Sequence, residues 1–215
     1  MKIAADSTIV FIGDSITDAG RTRPEGEGLF DPRGKGYVTM VEALLTAAHP
    51  DLRIRVVNQG NSGNTVRELK ERWQADVLDH KPDWVSIMIG INDVWRQFDS
   101  PLQKEGHVYF EEYVAGLAEL AAQTLPKVKG LVLMSPYFIE PNKADAMRAQ
   151  MDRYGAAMKA QAEKSGVIFV DVQAAFDAML AHYHPAAIAW DRVHPNQAGH
   201  MVIARAFLKA VGFAW

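Results

Sequence analysis

The chain has 215 residues, 48% hydrophobic and 23% charged, with a net charge of −3 and no cysteine. That length suits one domain over residues 1–215 with a substantial core, and the missing cysteine excludes disulfides, thiolate metal sites and a cysteine nucleophile. The charge is dispersed, with no basic block to neutralise a run of phosphates and no apolar run long enough for a membrane span, so neither nucleic acid nor membrane is an expected partner.

The N-terminus carries only the short apolar run Ile9-Val10-Phe11-Ile12, too brief for a signal-peptide core, and a cytoplasmic location is expected. A β-branched run at Thr8–Ile12 predicts the first strand, and apolar steps of three and four predict a helix over Val38–Ala48. Strands then follow at Ile54–Val57, Trp84–Ile89, Leu131–Met134 and Val167–Val170, each bounded by Gly, Pro, Asn or Asp. Between them lie helical patterns at Val66–Leu78, Val108–Leu125 and Ala144–Lys164, and Gln197–Val211 reads as a closing helix. Alternating strands and helices, with strands apolar on both faces, imply an α/β fold: three α/β/α layers around a parallel five-stranded sheet of flavodoxin-like order. No repeat or linker interrupts the pattern. The stretch from Gly20 to Gly36, rich in Gly, Pro and charge, is expected as a loop at the mouth of the site.

In such a sheet the site forms beyond the carboxyl ends of the strands. That picks out Gly13-Asp14-Ser15, Asn58 to Asn64, Gly90-Ile91-Asn92-Asp93 and Ser135-Pro136-Tyr137. A serine hydroxyl needs a histidine to take its proton and an acid to orient that histidine. Ser15 sits at a strand-to-helix turn, although Gly-Asp-Ser alone reads first as ordinary turn and cap chemistry. Asp191 and His194 lie three residues apart, so one turn can place the carboxylate on Nδ1 and leave Nε2 free, or the two can form a solvated loop pair. The other histidines, His49, His80, His107, His182, His184 and His200, have no comparable acid beside them and read as surface or structural. Asp14 adjoins the serine, but neighbouring side chains diverge, so its expected role is to hold the turn. Asp14, Asp18 and Asp93, scattered over two loops, make a poor hard-cation site, and no metal or other cofactor is expected. Gly63 and Asn92 are candidate oxyanion donors after successive strands, each also explicable as a turn former.

Together these four blocks, Gly13-Asp14-Ser15, Gly63 in Asn-Ser-Gly-Asn-Thr, Gly90-x-Asn92-Asp93 and Asp191-x-x-His194, resemble those of the SGNH (GDSL-like) hydrolases, in that family's order. The resemblance implies a serine esterase: Ser15 as nucleophile, His194 as general base and then acid, Asp191 as orienting acid, and an oxyanion hole of Ser15 N–H, Gly63 N–H and the Asn92 amide. The Gly-x-Ser-x-Gly elbow of the α/β-hydrolases is absent, because residue 17 is Thr17. The segments Arg21 to Gly28, Asn92 to Gln97 and Trp190 to Pro195 are similar to a bacterial subgroup of intracellular acetyl-xylooligosaccharide esterases. An acetylated sugar is therefore the implied substrate, released through an acetyl-Ser15 intermediate, with Trp95, Trp190 and Arg21 as candidate sugar contacts. Core or interface packing is the alternative for each tryptophan. Short-chain carboxylesterase, lysophospholipase and thioesterase activities are the competing chemistries, and an inactive sugar-binding module is the non-enzymatic one. A homo-oligomer is expected, with Phe213 and Trp215 available either for self-association or for closing the core.

Overall fold

The protein's structure, a computed structural model, describes residues 1–23 and 30–215. Five parallel strands form one sheet: β1 (Thr8–Gly13), β2 (Arg55–Gly60), β3 (Trp84–Met88), β4 (Gly130–Met134) and β5 (Ile168–Val170), in the order β2-β1-β3-β4-β5. This is the flavodoxin-like order expected from the alternation, with the switch point at β1. β1 and β3 are buried along almost their whole length, as strands covered by helices on both faces must be.

The helices are α1 (Ser15–Asp18), α2 (Tyr37–Ala48), α3 (Val66–Asp76), α4 (Ile91–Asp99), α5 (Phe110–Thr124), α6 (Ala146–Ser165), α7 (Val172–Leu180) and α8 (Gln197–Ala210). Helices α2, α7 and α8 pack together on one face, while α3, α4, α5 and α6 form the other layer. Aromatic rings fill both layers: Phe11 of β1 meets Tyr37 and Phe207, and Tyr113 of α5 lies 4.7 Å from Tyr154 of α6.

The sequence sets the helix starts through side-chain caps. Thr65 and Glu68 form a reciprocal capping box on α3, and Asp145, Asp171 and Asn196 accept backbone N–H groups that begin α6, α7 and α8. Gly166, at φ +65°, closes α6.

Two expectations change and one open alternative is resolved. The segment after β3 is not a simple loop but turns at once into the nine-residue helix α4; α7, of the same length, follows β5, where the periodicity pointed to no element. The fifth and sixth helices begin two residues later than the periodicity suggests, at Phe110 and Ala146. Phe213 is buried against His49 and so closes the core, whereas Trp215 stays largely exposed. Of the stretch from Gly20 to Gly36, residues 24–29 lie outside the described residues. Among the described residues, no helix is long and apolar enough to cross a membrane.

Candidate active site

Ser15 is the first residue of α1, directly past the end of β1. Asp14 caps that turn, its Oδ1 accepting the Ile16 N–H at 2.9 Å, so it holds the turn as expected. Gly13 is required by close approach: a Cβ there would sit 2.4 Å from both the Met88 carbonyl oxygen and Thr17 Oγ1. The chain can therefore bend sharply and present Ser15, which is half-buried, at the carboxyl edge of the sheet.

From the opposite end of the sequence, the loop before α8 brings His194 Nε2 to 2.8 Å from Ser15 Oγ. His194 Nδ1 lies 2.6 Å from Asp191 Oδ2, and Asp191 Oδ1 accepts the backbone N–H groups of Val193 and His194. A carboxylate acceptor at Nδ1 requires the proton there, which leaves the Nε2 lone pair for the serine O–H. Partial burial works to raise the Asp191 carboxyl, but the hydrogen bonds from the His194 ring and the two backbone N–H groups outweigh it and hold the group below its ordinary range.

The catalytic-type turn is anchored by the segment after β4. Tyr137 Oη donates to the Val193 carbonyl at 3.1 Å, Ile139 N donates to the Arg192 carbonyl at 2.9 Å, and Arg192 pairs with Glu140 at 2.7 Å. Arg192 itself adopts φ +62°, a left-handed conformation that the turn imposes and these contacts hold. Sequence reasoning singled out Tyr137 only by position and missed Arg192 and Glu140, whose pairing spans 52 residues.

The two further donor blocks converge on the same edge. Gly63 takes φ +83°, which favours glycine, and it is exposed, so its N–H is not enclosed by side chains. The loop around it is held from within by Asp18, whose Oδ2 accepts both the Ser62 N–H and the Ser62 hydroxyl. Burial opposes the Asp18 charge, but hydrogen bonds from Arg23 and Ser62 keep its carboxyl below the ordinary range. Asn92 lies in the first turn of α4, not in a loop, and is buried. Its Nδ2 donates one proton to the Asn64 carbonyl at 2.9 Å, while its Oδ1 accepts from Arg96 at 3.2 Å. That pattern fixes the amide's orientation and leaves a second N–H for a ligand.

Two buried carboxyls stand behind the site. Burial pushes Asp14 up to about 7, against the Ile16 N–H and the charges of His194 and Arg72. Burial likewise pushes Asp93 up to about 7; its Oδ1 accepts the Val66 N–H, while its Oδ2 has no hydrogen-bond partner. Among the described residues no group of three or more His, Cys, Asp or Glu is arranged to hold a metal ion.

The candidate sugar contacts divide. Trp95 packs edge-on to the His194 ring at 5.9 Å, and the Arg96 guanidinium covers its face at 4.6 Å. Trp190 is 91% exposed, immediately before Asp191. Arg21 is turned onto the end of β2, where it donates to the Gly60 carbonyl and to Gln59 Oε1. His200 is structural, as expected: its Nδ1 accepts the Tyr37 N–H, and burial first, with the His194 charge adding to it, lowers it to about 4.

Comparison with known proteins agrees with this geometry. Over the full chain and 98% of the relative, the sequence is 60% identical to an acetylxylan esterase of Geobacillus stearothermophilus. The crystal structure of that esterase superposes with a TM-score of 0.98 over 100% of this chain and 98% of the other. An alpha/beta hydrolase enzyme from the metagenome of Lake Arreo, Spain, is 61% identical, with a TM-score of 0.97 over 99% of this chain and 98% of the other. Structures of the Geobacillus esterase include variants called catalytic mutants, S15A, H194A and D191A, and this chain has Ser, His and Asp at the same numbers. The profile of the GDSL-like lipase/acylhydrolase family matches residues 11–202, nearly the whole chain, and the protein belongs to that family.

Proposed function

We propose that this protein is a serine esterase that removes acetyl groups from acetylated xylooligosaccharides, acting as a single domain. The observation that carries the chemistry is the continuous relay from Ser15 Oγ through His194 (2.8 Å) to Asp191 (2.6 Å). The substrate assignment draws on the full-length likeness to a relative named an acetylxylan esterase and also an acetyl-xylooligosaccharide esterase.

The reaction follows from the geometry. Ser15 Oγ attacks the acetyl carbonyl carbon as its proton passes to His194 Nε2, and Asp191 stabilises the resulting imidazolium. The carbonyl oxygen becomes an oxyanion received by the Ser15 N–H, the Gly63 N–H and the unengaged Asn92 amide N–H. Collapse breaks the bond to the sugar oxygen, which takes the proton back from His194 and leaves acetyl-Ser15. Water, deprotonated by His194, then attacks the acyl carbon; acetate departs and Ser15 regains its proton. The chemistry is redox-neutral and needs no cofactor.

Trp190 offers a flat face to a sugar ring beside the relay, Trp95 offers the side of its ring that Arg96 does not cover, and Arg21 lines the mouth next to the Gly63 loop. The enzyme works in the cytoplasm on short fragments and self-associates, with Trp215 available at the surface.

The test is acetate release from acetylated xylooligosaccharides and from an aryl acetate, by the parent and by Ser15→Ala, with folding verified by circular dichroism. We expect both activities to fall by at least about 10⁴-fold in the variant, with the sugar ester preferred by the parent. Aryl acetate hydrolysis without sugar deacetylation would make it a broad short-chain carboxylesterase. Sugar binding without acetate release would make it a binding module.

A further inference from the structure

We propose that Arg72 is a positioning residue that holds the oxyanion hole together, an inference that rests on the serine-esterase reading above. The three expected donors come from three separate segments, those after β1, β2 and β3; the strand register and one backbone hydrogen bond, Asn61 N–H to the Gly13 carbonyl at 3.0 Å, tie the first two at their base, while the side chains and N–H groups beyond need a further anchor. Arg72, in the middle of α3, reaches all three, the last through one intermediary. Its Nη2 donates to the Gly13 carbonyl, two residues before Ser15, at 2.9 Å. Its Nη1 donates to the Gln59 carbonyl near the end of β2 at 2.7 Å, and its Nε donates to Asn64 Oδ1 at 2.7 Å. The Asn64 backbone carbonyl then accepts the Asn92 amide at 2.9 Å.

A surface role would look different. The Arg72–Asp76 pair, an i,i+4 contact at 2.6 Å, engages only Nη1, and the Arg72 side chain is just 15% exposed. The other contacts are to two backbone carbonyls and an amide oxygen from distant segments, which only a planar, forked guanidinium satisfies at once. The electrostatics point the same way. Strand carboxyl ends direct carbonyl dipoles toward the edge where the reaction builds negative charge, and the guanidinium caps two of them with N–H donors while Asp76 balances its charge. Removing it leaves the Gly13 and Gln59 carbonyls without that donor and frees the Asn64 side chain, so the donors lose their mutual geometry. Misplacement of that kind falls on the transition state more than on the bound ester.

The test uses the full-length enzyme and an aryl acetate, with Arg72→Ala and Arg72→Lys compared with the parent and Ser15→Ala. We expect kcat to fall about 100-fold in Arg72→Ala and about 10-fold in Arg72→Lys, with KM nearly unchanged. Added guanidinium ion should restore part of the Arg72→Ala rate and leave Ser15→Ala inert. Arg72→Ala combined with Asn64→Ala should be little slower than Arg72→Ala alone, because the two act in series. Parent-like kcat in either folded variant, a loss confined to KM, or a loss that guanidinium does not relieve would overturn the proposal. Should Arg72→Ala fail to fold, the kcat of Arg72→Lys decides. If instead the parent lacks esterase activity or Ser15→Ala retains it, the serine-esterase reading fails first, and with a different signature.

Discussion

The buried Asp93 carboxyl makes a quantitative prediction. It sits beside Asn92 at the start of α4, fully enclosed, with one oxygen on the Val66 N–H and the other without a partner. Burial moves it from its ordinary 3.8 to about 7, helped by the nearby charges of Asp14 and Glu68. Between those two values the unfolded chain gives up the proton while the folded chain keeps it. Stability is therefore greatest below the unfolded value and declines as pH rises toward the folded one, by about 1.4 kcal/mol per pH unit for this group. Above about 7 the full difference is expressed, about 4 kcal/mol. Asp93→Asn preserves the acceptor for Val66 and has no proton to lose. Urea unfolding of both proteins from about pH 4 to about pH 8 should show the variant's advantage rising across that window and then levelling off. Profiles that stay parallel would mean that Asp93 ionises as readily in the fold as in the open chain, and the reasoning from burial would be refuted.

Two further outcomes follow from the site. Asn92→Ala removes one oxyanion donor, takes the Asn92 amide from the Asn64 carbonyl and costs Arg96 one of its contacts while its pairing with Asp99 stays; steady-state kinetics should show kcat lower by about 10²- to 10³-fold with KM little changed. In Asp191→Asn an amide N–H₂ can face His194 Nδ1 and favour the tautomer with its proton on Nε2, which donates to Ser15 where it should accept; kcat should drop by about 10⁴-fold while circular dichroism remains that of the parent.

Much of this architecture is readable in the sequence. Apolar positions three and four apart announce the helix beginning at Val66 because one of its faces must be buried, and the β-branched runs announce buried parallel strands because both of their faces must be apolar. Ser15, Asp191 and His194 are legible because a serine nucleophile demands partners of fixed type. What escapes is whatever depends on distant backbone. Arg72 lies within the helical pattern Val66–Leu78, which says nothing of its role, since its partners are strand carbonyls that no pattern displays. Helix α4 hides for a different reason: Gly90-Ile91-Asn92-Asp93 looks like turn chemistry, although Ile91, Val94, Trp95 and Phe98 carry helical spacing. Arg21 shows the converse: its place near the mouth is legible in the sequence, but its hydrogen bonds to Gly60 and Gln59, which tie it to the end of β2, are not.

The turn from Asp191 to His194 meets its own hydrogen-bonding needs: the acid accepts the backbone N–H groups of Val193 and His194 with one oxygen and holds the imidazole with the other. Its links to the segment after β4 run through Arg192 and Val193, not through the reacting groups. The distance between acid and base is thus set inside a four-residue turn, and the protruding Trp190 beside it takes no part in the hydrogen bonds that set it. A change of side chain at that rim alters what the site meets outside without touching the spacing on which the proton transfer depends.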